Sequence, residues 1–126
     1  TANSCQALDI QALQTLFDAI LQNPNMAQVP SLRGAVHYHR GMLHQQFDRL
    51  DQALEDLDAS YAARPEIDIR LQQIVWLLAS GRHDDAQHYL SLARQHKYGF
   101  FSVSNLRDAD LNTLQQQIDN ARHETS

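Results

Sequence analysis

The chain has 126 residues, of which 43% are hydrophobic and 20% charged, with 10 Lys and Arg against 15 Asp and Glu and a net charge of −5. That length and balance describe one folded domain, burying roughly two thirds of its unfolded surface, and argue against disorder. No basic run is present to follow nucleic acid or an anionic membrane. The longest apolar run, Ile74 to Ala79, falls far short of the ~20 residues that span a bilayer.

Neither strand-like alternation nor a hairpin dipeptide occurs, while helical spacing recurs along the whole chain, so the expected class is all-α with six helices. The chain opens "TANSCQ" without Met and without an apolar leader, and reads as an excised domain or a processed product of a larger protein. Cys5 is the single cysteine, so no internal disulfide forms and thiol usage leaves the compartment open. Leu13, Leu16, Phe17, Ile20 and Leu21 mark a first helix, which Pro24 in "QNPN" ends. A second helix starts at Pro30 or Ser31 and reaches Phe47 along Leu32, Ala35, Val36, His39 and Leu43. Asp48 is the expected N-cap of a third, with Asp51 in its first turn and an apolar face of Leu50, Ala53, Leu54, Leu57, Ser60 and Tyr61, until Pro65 breaks it.

The fourth helix carries Ile67, Leu71, Ile74 and Leu78, with Val75, Trp76 and Leu77 between them; apolar nearly all round, it is expected to lie between neighbours, and Gly81 ends it. The fifth uses Ala86, Tyr89, Leu90 and Ala93. A nonhelical stretch, Lys97 to Ser104, is expected next, with the aromatics of "YGFFSV" plugging the end of the array. Asn105 and Asp108 then signal a last helix lined by Leu111, Leu114 and Ile118, with a fraying tail from Asn120.

Arg49, Asp51, Ala53, Leu57 and Ser60 fall on Arg82, Asp84, Ala86, Leu90 and Ala93 at a constant offset of 33. Self-similarity of that period marks an array of helical hairpins. Ala53 and Ala86 are small where the second helix of each pair approaches the first, and Leu57 and Leu90, one turn on, fill the space beyond.

On these residues the chain resembles the tetratricopeptide repeat family. Gly41 stands at the family's small first-helix position, and His44, Ala53, Leu57, Ser60 and the closing Pro65 occupy later signature positions. In the second copy Gly81, Ala86, Leu90 and Ala93 match, but Ile74 replaces the small residue, no proline follows Ala93, and His37 and Arg70 stand where the family places an aromatic. The resemblance implies a repeat array organised as an N-terminal helix and linker (1–30), a first repeat (31–65), a degenerate second repeat (66–96) and a loop with a capping helix (97–126).

It also implies a noncatalytic, protein-binding scaffold of a larger bacterial protein, with a concave groove lined by Ala35, Tyr38, Met42, Gln45 and Gln46 from one copy and Leu71, Val75, Leu78 and Ala79 from the other. A terminal helix lying over that groove would make it core instead. The order of elements, with "CQALDIQALQTLFDAILQNP" at its head, is similar also to the soluble C-terminal domain of bacterial membrane glycan polymerases and O-oligosaccharyltransferases. On that reading the chain is an accessory domain whose catalytic residues lie elsewhere, in an extracytoplasmic setting rather than a cytoplasmic one. Self-association through the end hairpins is a third expectation.

No cofactor, metal or catalytic residue is expected. His37 and His39, His39 and His44, and His83 and His88 all miss the i, i+4 spacing of a helical two-histidine site. Glu55, Asp56, Asp58, Asp84 and Asp85 read as solvated outer faces or first turns. Arg33, Arg40, Arg49 and Arg82 are too scattered to clamp a peptide carboxylate.

Overall fold

The computed structural model describes the backbone of residues 2–99 and 108–125, and side chains over 10–95, Ala27 apart, and 109–124. The described residues form seven helices and no strand, as an all-α chain should. They fall into two compact units, Thr1–Pro65 and Glu66–Ser126, divided where Pro65 was expected to break the chain.

The first unit holds α1 (Ala2–Gln22), α2 (Pro24–Ala27), α3 (Pro30–Gln46) and α4 (Leu50–Ala63). Here α2 is an addition to the six expected helices. Pro24, which stops α1, sits in the first turn of α2, where a missing N–H costs nothing, and Asn23 Oδ1 accepts from the N–H groups of Asn25 and Met26 at 3.0 and 3.4 Å. α3 packs chiefly on α4, with α1 lying against α3. The α3–α4 contact is close because glycine faces it. A β-carbon on Gly41 would stand 3.1 Å from the Ala53 carbonyl oxygen and 3.2 Å from Asp56 Cβ. One end of the contact is tied by Ser60 Oγ, which donates to the Gly34 carbonyl at 2.8 Å. Val36, Leu43, Ala53, Leu54 and Leu57 are buried in this unit. Each large member contributes about 1.5–3 kcal/mol on leaving water.

The second unit holds α5 (Ile67–Ala79), α6 (His83–Gly99) and α7 (Asp108–Thr125), with α6 packed on both α5 and α7. Ile74, Leu77, Ala86, Leu90, Ala93, Leu111 and Ile118 are fully buried. The stripe 111, 114, 118 therefore faces inward as its spacing requires. Gln87 and Gln115 join α6 to α7 by a reciprocal amide pair of 3.1 and 2.7 Å. Trp76 is buried, but Val75 is 47% exposed, so α5 keeps one apolar side in solvent and is not enclosed all round. Lys97 to Gly99 continue α6 rather than opening a loop, and α7 is helical through Thr125 rather than fraying from Asn120. Arg122 Nη2, near its end, donates to Asp84 Oδ1 at 2.9 Å. The aromatics Phe100 and Phe101 and the start signal at Asn105 lie outside the described residues.

Asp48 does not cap α4. Arg49 takes that position without a side-chain bond, and Asp48 adopts the left-handed conformation, φ 58°. Its N–H donates to Gln45 O at 3.1 Å, and the N–H of Arg49 to His44 O at 3.0 Å. These are the two bonds of a Schellman turn. Thirty-three residues on, Gly81 has φ 79°, and the N–H groups of Gly81 and Arg82 donate to Leu78 O and Leu77 O at 3.1 and 2.9 Å. The same turn joins both helix pairs, with glycine in one and aspartate in the other.

Candidate functional site: a buried carboxylate network beside an apolar cleft

In α3, His37, Arg40, Gly41 and His44 share the stripe that meets α4; in α4, Ala53, Asp56, Leu57 and Ser60 share the stripe that meets α3. Asp56 is therefore buried, at 4% exposure, and does not belong to the solvated face expected for it. Glu55 is exposed, Asp58 is half-buried, and Asp84 and Asp85 are exposed.

A buried carboxylate is tolerable only with donors on it. Arg40 supplies a two-toothed grip, Nε donating to Oδ2 at 2.9 Å and Nη2 to Oδ1 at 2.7 Å. His37 Nδ1 adds a bond to Oδ1 at 3.0 Å. The remaining guanidinium nitrogen, Nη1, donates to Asp18 Oδ1 on α1 at 2.9 Å, so one side chain ties α1, α3 and α4 together. Burial pushes the Asp56 carboxyl up, but the His37 and Arg40 hydrogen bonds together outweigh it and hold the group below the usual carboxylate range. The bond to Asp56 raises Arg40, against burial.

His44 completes the network. It is 7% exposed, with Nε2 3.5 Å from Asp56 Oδ2, and its buried Nδ1 has no hydrogen-bond partner among the described residues. Burial holds the ring below the ordinary imidazole value; the Asp56 charge opposes this, and Arg40 and Arg49 reinforce it. Placing the ring hydrogen on Nε2 turns it towards the carboxylate and leaves Nδ1 a bare lone pair.

The residues at the same offset in the second unit make a version without a carboxylate. His37, Arg40, His44 and Asp56 correspond to Arg70, Gln73, Leu77 and Tyr89. There Arg70 Nη1 donates to Gln73 Oε1 at 3.0 Å, and the Arg70 guanidinium lies 5.6 Å over the Tyr89 ring. Arg70 thus spans α5 and α6 by cation–π contact where Arg40 spans α3 and α4 by ion pairing.

Beside the network, α1 and α3 enclose an open cleft of about 340 Å³ lined by Ile10, Leu13, Phe17, His39, Met42, Leu43 and Gln46. Leu13 is 44% exposed and Leu16 53%. Of the residues expected on a binding groove, Met42 and Gln46 line this cleft, while Tyr38 and Gln45 are half-buried elsewhere on α3 and Ala35 is exposed. Met42 and Gln46 thus share one open cleft with Ile10, Leu13 and Phe17 of α1. Leu71 and Leu78 are half-buried and Val75 and Ala79 exposed, all on α5 of the second unit. Among the residues expected to pack, Gly41, Ala53, Leu57, Ala86, Leu90 and Ala93 are buried, and Pro65 and Gly81 are exposed at chain breaks.

Two signals for the network were legible in advance: Asp56 stands three residues from Ala53 and four from Ser60, inside the packing stripe, and His37, Arg40 and His44 repeat at three and four. Among the described residues no group of His, Cys, Asp and Glu is arranged to hold a metal, and no helix is long and apolar enough to cross a membrane. No protein-family model, curated protein or solved structure matches the chain.

Proposed function

We propose that this chain is a noncatalytic protein-binding module of the tetratricopeptide-like kind, and that the α1–α3 cleft takes an apolar segment of its partner. The observation that carries the reading is the cleft itself. Leucine, isoleucine, phenylalanine and methionine form its walls, the polar His39 and Gln46 complete it, and no formally charged side chain lines it. Such a surface suits the apolar face of an amphipathic helix, read at i, i+3/i+4 and i+7. Met42 lends it adaptability, because a thioether chain repacks at little cost. The turn and network positions that recur at 33 residues support a hairpin-repeat scaffold, on which binding is the usual work of an exposed face.

The reading is tested by panning a random 16-residue peptide library on the immobilised full chain. Enrichment of amphipathic helical peptides, lost on Leu13→Glu or Met42→Glu with circular dichroism unchanged, is the expected result. Peptides that bind these variants as well as the parent would remove the cleft from the binding surface.

A further inference from the structure

His44 occupies a core position that the second unit fills with Leu77, itself fully buried. A neutral imidazole fits there. One nitrogen turns its hydrogen to Asp56, and the other is a buried lone pair with no partner among the described residues. Protonation converts that lone pair into a charged N–H donor with no acceptor, and a buried unmatched charge is among the costliest groups a core can hold. Every charged group around the ring bears on the outcome. Asp56 on α4 and Asp18 on α1 attract the imidazolium, while Arg40 on α3 and Arg49 at the start of α4 repel it. Both carboxylates are already engaged by the Arg40 guanidinium, and His37 holds a third bond to Asp56. The Arg40 and Arg49 charges offset part of that attraction, and burial outweighs the rest. His44 also sits in the last turn of α3, and its carbonyl accepts the Arg49 N–H that closes the α3–α4 turn.

We propose that His44 is an acid-sensitive latch on the α3–α4 hairpin: on mild acidification the protonated ring leaves the core and the hairpin opens, while the α5–α6 hairpin, latched by Leu77, stays closed. A histidine held low in the folded state makes the unfolded state bind the extra proton, so stability is full above about pH 6.5 and declines as pH falls below it. For one proton, the loss is at most tenfold in the opening equilibrium per pH unit.

Amide hydrogen exchange on the full chain, corrected for the intrinsic rate at each pH, tests this between pH 7.5 and 5. Protection of α3 and α4 should fall towards tenfold per unit below pH 6.5, while protection of α5 and α6 holds. In His44→Leu, which installs the second unit's own residue, the fall should vanish. Equal losses in both units, or an unchanged fall in His44→Leu, would overturn the latch. Should that variant not fold, the wild-type ring titration by NMR decides. A His44 ring titrating at or above the ordinary imidazole value refutes the proposal, and one titrating below it, together with the selective loss in α3 and α4, upholds it.

Discussion

At Asp48 and Gly81 one backbone conformation is met by two residues, which makes the cost of a side chain there measurable. Positive φ is free for glycine and strained for other residues, with aspartate among the more tolerant. Asp48→Gly should therefore raise the unfolding free energy by about 0.5–1 kcal/mol in urea titration, and Gly81→Ala should lower it by about 1 kcal/mol. The misreading of Asp48 as a helix cap has its cause in the same chemistry, because the short carboxylate serves both caps and left-handed turns. Asp56 is the costlier residue to lose. Asp56→Ala leaves His37 without an acceptor and Arg40 with only Asp18, and should cost about 3 kcal/mol, the low end for a broken buried pair, since Arg40 retains that partner and is partly exposed. A variant as stable as the parent would show that water satisfies the network as well as the carboxylate does.

At the scale of elements, the helices follow from period and punctuation. Apolar residues at three and four, with Pro24, Pro65 and Gly81 as stops, give α1 and α3 to α7 before any coordinate is known. Why the pairs sit close is a matter of volume. Ala53 and Ala86 are fully buried, and the Ala53 carbonyl lies 3.1 Å from where a Gly41 β-carbon would be. Leucine at either alanine adds three carbons to a filled space. Ala53→Leu and Ala86→Leu should each cost about 1–3 kcal/mol, read as a lower denaturation midpoint. Two parent-like midpoints would mean that the helix pairs have room to separate. What the pattern hid was polarity on a packing stripe: Asp56 reads as a surface residue by type, and only its register puts it inside.

For the whole molecule, charge and proton linkage set the response to acid. The net charge of −5 disappears near pH 5.7. With Leu16, Leu13, Phe47 and Val75 each more than 40% exposed, solubility should pass through a minimum there, seen as light scattering that falls again on either side. Scattering that rises steadily through pH 5.7 would point instead to unfolding as its cause. Further down the scale Asp56 takes over. A carboxyl held low when folded stabilises the protein above its ordinary value of about 3.9, and that contribution is lost as pH falls through the folded value.

By itself the sequence settled the all-helical class, the helices other than α2, the stops of α1, α3, α4 and α5, and the inward faces of α4, α6 and α7, because each depends on spacing within a single element. The shared carboxylate of Asp56, the grip of Arg40 on three helices, the burial of His44 and the apolar cleft between α1 and α3 were decided only by tertiary structure. Each needs side chains from separate helices to meet, and that meeting depends on how the helices pack rather than on any interval along the chain.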